Sequence, residues 1–243
     1  MLKVTGLTKR FGDITAVNDI SFQVGEGEVF GLLGENGAGK TTTLRLLATM
    51  LKPTLGTASL GGYDLIKEPE KVRRKIGILF GGESGLYDRL TAAENITYFG
   101  ELNNMSKSEV NERIKYLTKA FGMEEYINRK AGKFSKGMKQ KVAFARSIVH
   151  DPDIMLLDEP TSGLDVSAIR NVHDFIQTCR NDGKTIIFSS HTMSEVEKLC
   201  DRIGIIHKGS LVTTGTIDEI IKEFNGDSLE EIFVKMVGDK NEF

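Results

Sequence analysis

Three stretches of the chain hold residues whose types and spacing suit work on phosphates. The first, Gly34-Glu35-Asn36-Gly37-Ala38-Gly39-Lys40-Thr41, fits G-x-x-x-x-G-K-[ST] throughout and lies between an apolar run and a helical pattern. In that setting the glycines let backbone N–H groups wrap a phosphate chain, and the start of the next helix adds its dipole. Lys40 is expected on the β- and γ-phosphates, Thr41 on Mg2+ through its hydroxyl, and Thr42 on a further phosphate oxygen. The second stretch, Ile154-Met155-Leu156-Leu157-Asp158-Glu159, is an apolar run ending in two carboxylates. Asp158 can complete a Mg2+ shell, and Glu159 can orient the attacking water or accept its proton. The third is His191, directly after Lys184–Ser190. A lone histidine at a strand end is more often structural; on a third tip beside the other two it can hydrogen-bond a γ-phosphate.

Residues so far apart in sequence need a scaffold that gathers strand ends. The first 35 residues alternate short β-type runs with Gly and Asp turns, which predicts an antiparallel sheet leading into one buried strand at 28–33. A helix is expected from Gly39 to about Leu51, stopped at Pro53. Residues 57–65 read as strand and turn, and 74–80 as another buried strand. From about 88 to 150 the texture becomes helical. Ser106 and Glu109 stand in capping-box spacing before an amphipathic run to Met123, and a second helix covers 139–149. Strands at 153–159, 184–190 and from Arg202 then alternate with helices at 167–181 and 193–200. That alternation predicts an α/β fold with a mostly parallel sheet, whose ligands sit beyond the carboxyl ends of the strands. Two short helices, each with a T/S-x-x-E start, follow at 214–224 and 228–238.

Composition narrows the class. With 40% apolar and 27% charged residues the chain reads as an ordinary globular protein. A net charge of −2 argues against a duplex-coating protein and no nucleic-acid partner is expected, although four lysines crowd residues 132–141. The two cysteines, Cys179 and Cys200, have no metal-ligand spacing and read as reduced thiols. No run approaches the roughly 18 apolar residues of a membrane span, and the polar start lacks a signal-peptide segment, so a soluble chain is expected whose membrane connection comes through a partner.

The order of further landmarks decides between nucleotidase classes. No N-K-x-D guanine-reading motif occurs; instead Phe134-Ser135-Lys136-Gly137-Met138 precedes the acidic strand end, Ser162-Gly163-Leu164-Asp165 follows it, and Ser189-Ser190-His191 comes about thirty residues on. With these motifs in this order the chain resembles the ATP-binding cassette (ABC) family, the nucleotide-hydrolysing subunits of ABC transporters, over residues 1–222. Gly34–Thr41 is similar to Walker A, Phe134–Met138 to the signature L-S-G-G-Q, Ile154–Glu159 to Walker B, Ser162–Asp165 to the D-loop and His191 to the switch histidine. Phe11 matches the aromatic that stacks on adenine; an ordinary core phenylalanine is the other reading.

The resemblance implies a P-loop NTPase core, an N-terminal antiparallel β-subdomain and an inserted α-helical subdomain at about 88–150, with 223–243 a short helical extension. It implies ATP and Mg2+ as ligands, and catalytic roles for Glu159, His191 and Lys40. It also implies a head-to-tail dimer of two cassettes, most simply a homodimer, in which Ser135, Gly137 and Asp165 serve nucleotide across the interface. A serine N-cap followed by glycine suits that task, since it leaves a hydroxyl and N–H groups at a helix start. Two departures stand out. Lys136 replaces a glycine and is expected near phosphate charge. Gly82 occupies the slot where the family places a metal-touching glutamine, with Glu83 or a water as substitutes. Residues 79–105 and 134–146 resemble the bacterial NatA-type sodium exporters of the ABC-2 group, so that absence reads as a subgroup trait. A permease is expected near 82–95, where Leu86, Tyr87 and Leu90 either meet it or simply pack. The implied location is cytoplasmic, on the inner face of the membrane. Sister branches export drugs or other compounds. Soluble ABC proteins of DNA repair or translation fit less well, because only 94 residues lie between Lys40 and Ser135 and the chain holds one cassette.

Overall fold

The structure is a computed structural model and describes residues 1–80, 85–226 and 228–238. Its strands are β1 (Leu2–Phe11), β2 (Ile14–Val24), β3 (Val29–Leu33), β4 (Leu55–Leu60), β5 (Tyr63–Asp64), β6 (Ile76–Phe80), β7 (Ile154–Asp158), β8 (Thr185–Ser190), β9 (Arg202–His207) and β10 (Ser210–Gly215). Its helices are α1 (Lys40–Leu47), α2 (Pro69–Lys75), α3 (Ala92–Leu102), α4 (Lys107–Phe121), α5 (Lys136–Ser147), α6 (Val166–Asn181), α7 (Met193–Leu199), α8 (Ile217–Glu223) and α9 (Leu229–Gly238).

The strands divide into two sheets. An antiparallel sheet runs β2-β1-β4-β5, and a second runs β10-β9-β3-β8-β7-β6, parallel except for β10, which pairs antiparallel with β9 at the edge. β3, β7 and β8 are buried at every position, as parallel strands covered on both faces must be. Successive side chains point to opposite faces. Val29, Leu33, Met155, Leu157, Ile186 and Phe188 therefore enter one core with α3 and the helices that follow it. Phe30, Leu32, Ile154, Leu156 and Ile187 enter another, with α1 and the antiparallel sheet. This arrangement puts the tips of β3, β7 and β8 side by side, because Leu33 pairs with Ser190 and Asp158 with Ser189.

Several elements differ from expectation, the short helix α2 and the edge strand β10 among them. α1 ends at Leu47, short of Leu51. Thr49 takes a left-handed φ of 57°, its N–H bonds Leu46 O at 3.0 Å and Met50 N–H bonds Arg45 O at 2.9 Å, which closes the helix as a Schellman turn before Pro53 can act. α3 was not singled out, although Thr91 and Glu94 form a complete capping box at its start. The helices between 88 and 150 are tied to the sheet through an aromatic stack: Phe144 of α5 lies face to face with Phe175 of α6 at 4.4 Å, and Phe121 of α4 meets Phe175 at 5.9 Å. At the C-terminal end, Leu229, Ile232 and Phe233 of α9 are buried in the same core. Cys179 is buried and Cys200 half-buried, both as free thiols, and burial pushes Cys179 up to about 12. Among the described residues no helix is long and apolar enough to cross a membrane. Gly82 and Glu83 lie outside the described residues, as do 239–243.

Candidate nucleotide site at the strand tips

The turn between β3 and α1 is shaped by glycines that cannot be replaced. A Cβ on Gly34 would stand 2.4 Å from the Ile206 carbonyl oxygen, and one on Gly39, at φ 110°, 2.6 Å from that of Ala16. Lys40 is 3% exposed, yet its ammonium is well supplied with acceptors. It donates to Gly34 O at 2.7 Å and Glu35 O at 2.9 Å and stands 3.4 Å from the Glu159 carboxylate. A buried cation needs such partners, because the cost of leaving water is otherwise unmet. Asn36, Gly37, Gly39, Lys40, Thr41 and Thr42 line an open cleft of about 380 Å³ whose far wall is Asp158, Glu159 and Ser162. Glu35 and Ala38 belong to the loop through its internal bond, Ala38 N–H to Glu35 O at 3.1 Å.

The acidic wall is built by β7 and β8 together. Asp158 is 7% exposed, and its Oδ1 accepts from Thr41 Oγ1 at 3.0 Å and Ser189 Oγ at 2.7 Å. The Ser189 hydroxyl oxygen also accepts the backbone N–H of Glu159 at 2.9 Å. One hydroxyl thus fixes both acids. Sequence reading missed Ser189, whose only signal was its place one residue from the tip of a neighbouring strand. Glu159 leaves the strand at φ 43°, and its Oε1 stands 3.6 Å from His191 Nδ1. Lys40, Glu159 and His191 therefore converge. Thr41 and Asp158 are both hard oxygen donors already in contact, and a half-buried hydroxyl beside a buried carboxylate fits Mg2+, which favours one or two protein oxygens plus phosphate.

The remaining candidates stand apart. Phe11 is exposed at the end of β1, with the Lys9 ammonium 5.0 Å from its ring centre, and does not line the cleft. Its reading as an ordinary core phenylalanine is therefore set aside. Ser135 caps α5 by accepting Met138 N–H at 3.3 Å, and nothing lies within 4 Å of where a Gly137 Cβ would be. Neither residue lines the Lys40 cleft. Two further candidates are engaged within the chain. The Lys136 ammonium donates to the Gly163 carbonyl of the same chain. Asp165 is engaged as the N-cap of α6, accepting from Ala168 N–H at 2.9 Å and Ser167 Oγ at 2.8 Å. Those bonds, the Ala168 N–H first, hold its carboxyl below the usual range.

The segment before α3 is organised by a residue the sequence did not advertise. Asn95, fully buried, accepts Tyr87 N–H at 2.8 Å and donates to Tyr87 O and Thr91 O at 3.2 and 2.9 Å. Of the three apolar candidates here, Leu86 packs against the core, Leu90 is half-buried and Tyr87 is exposed, edge-on to Tyr98 at 5.4 Å. Leu86, Asp88, Lys136, Lys139 and Glu159 border a second cleft of about 410 Å³.

Comparison with known proteins gives consistent matches. The family model for ABC transporter matches residues 17–162. The chain is 48% identical to the ABC transporter ATP-binding protein NatA of Bacillus subtilis (strain 168), over 96% of this chain and 97% of that one. A solved ATP-binding subunit of an ABC transporter superposes with a TM-score of 0.87 at 32% identity, covering 97% of this chain and 99% of the other. A dimeric post-hydrolysis ATP-binding cassette bound to ADP and Pi superposes with a TM-score of 0.77 at 29% identity, covering 89% and 98%.

Proposed function

The chain belongs to the ABC transporter family, and from that premise we propose that it is the ATP-hydrolysing subunit of an exporter, driving a separate membrane permease that moves sodium. The convergence of Lys40, Glu159 and His191 beside the Thr41–Asp158 pair carries this reading.

ATP lays its phosphates along Gly34–Thr42. Lys40, which the loop carbonyls already hold in place, neutralises the β- and γ-oxygens. Thr41 and Asp158 would hold Mg2+, which supplies charge neutralisation on the same phosphates. Glu159, fixed through its backbone by Ser189, orients the water in line with the β–γ bridge and draws off its proton as the new P–O bond forms and the bridging oxygen leaves with ADP. His191 bonds the γ-phosphate oxygens and Glu159 at once. Ser135 and Gly137 face a second copy of the chain, where the hydroxyl and N–H groups at the start of α5 meet the γ-phosphate bound by the partner. Asp165 acts at that interface by shaping the turn at 162–165. Phe11, exposed at the strand end, stacks on adenine. The permease meets the surface around Tyr87.

Sodium rests on the resemblance of the segments at 79–105 and 134–146 to NatA-type exporters; no described residue needs to touch the ion. The test is co-purification of the permease and reconstitution into vesicles. ATP-dependent 22Na flux supports the reading. ATPase activity with no sodium flux would leave the exporter and reject the cargo, in favour of a drug or other compound.

A further inference from the structure

α7 begins with a residue that does not behave as a helix cap. Glu195 stands three residues after the N-cap Thr192, where a capping-box glutamate would reach back to the N-cap N–H. Here that N–H goes to Ser190 Oγ at 3.0 Å, and the Glu195 carboxylate turns inward, 8% exposed. Its Oε2 accepts from Thr161 Oγ1 at 3.0 Å and from Ser190 Oγ at 3.0 Å. Its Oε1 faces His173 Nε2 at 3.8 Å, too far to bond. A carboxylate withdrawn from water needs such donors, and the helix N-terminus favours the charge.

We propose that Glu195 is a positioning residue for ATP cleavage, its buried carboxylate joining the turn after Glu159 to the strand end before His191. Thr161 lies two residues beyond Glu159, and Ser190 immediately precedes His191. Ser190 also holds the amide of Thr192 on the other side of His191. One oxygen thus joins the two segments beyond the Ser189 contacts, on the side where Glu159 approaches His191 to 3.6 Å. Neither the phosphate loop nor the Thr41–Asp158 pair depends on it, so its loss misplaces the water-orienting acid and leaves nucleotide seating intact.

The inference rests on ATP cleavage at this site. The experiment is steady-state ATPase kinetics with nucleotide binding measured separately by fluorescence. Glu195→Ala should lower kcat by about 30-fold while shifting ATP affinity less than about 2-fold, the scale of effect that a small misplacement produces. Glu195→Gln, whose carbonyl oxygen can accept both hydroxyls, should restore kcat to within about 3-fold of wild type. Thr161→Val should cost about 5-fold and add little on top of Glu195→Ala, because the two act through one contact. If Glu195→Ala does not fold, Thr161→Val decides alone. Wild-type kcat in these variants, or parallel loss of kcat and ATP affinity, overturns the proposal. A wild-type protein without turnover would instead reject the ATPase reading itself.

Discussion

The strand-tip cleft and the start of α5 both resemble phosphate sites, yet they are built to opposite standards. At the strand tips, Lys40 and Asp158 are almost wholly buried, and Thr41, Ser189 and two loop carbonyls fix them. At α5, Ser135 is exposed and bonds only its own helix, while Gly137 has nothing beside it. The first cluster is held together within one chain. The second offers donors on a surface, and a surface donor gains strength only when a partner excludes water around it. On the proposed function, one half holds nucleotide and the other meets it across a second copy.

Substitutions can break or sharpen that contrast. The largest effect is expected from Glu159→Gln, which should reduce kcat by about 1000-fold while ATP binding persists and a stable dimer accumulates on size exclusion. A variant that still turns over normally would remove Glu159 from the chemistry. Ser135→Arg should lower kcat about 100-fold by blocking the partner's phosphate, and leave ATP affinity of the isolated chain unchanged. If affinity in the monomer fell as well, the two regions would not be separate sites. Ser189→Ala should cost about 10-fold in kcat and raise the Mg2+ concentration needed for half-maximal rate, since Asp158 loses one of its two donors. Lys136→Met should change kcat by no more than about 3-fold, because an exposed ammonium on a carbonyl contributes little. A loss comparable to that of Ser135→Arg would return Lys136 to the phosphate.

Legibility in the sequence followed the range of the interactions. The phosphate loop, the acidic strand end and the capping boxes at Ser106 and Thr216 are set by residues within one turn of each other, and their patterns were readable. The strand alternation gave the parallel sheet, and with it the meeting of β3, β7 and β8. What escaped was the matching of polar groups across elements: Ser189 under Asp158, Asn95 under Tyr87, and Lys136 on Gly163. Serine, asparagine and lysine have no periodic signature, and their partners lie 31, 8 and 27 residues away. The end of α1 was misplaced for a related reason, since a threonine rather than a glycine takes the left-handed turn.

The backbone at Glu159 carries an evolutionary consequence. A residue with a Cβ held at φ 43° costs on the order of 1 kcal/mol relative to glycine. Glu159→Gly relieves that backbone but also removes the carboxylate 3.4 Å from the buried Lys40 ammonium, so it should end turnover with little net change in melting temperature. On the role proposed for Glu159, that carboxylate is reactivity held in a backbone conformation that folding alone would not choose.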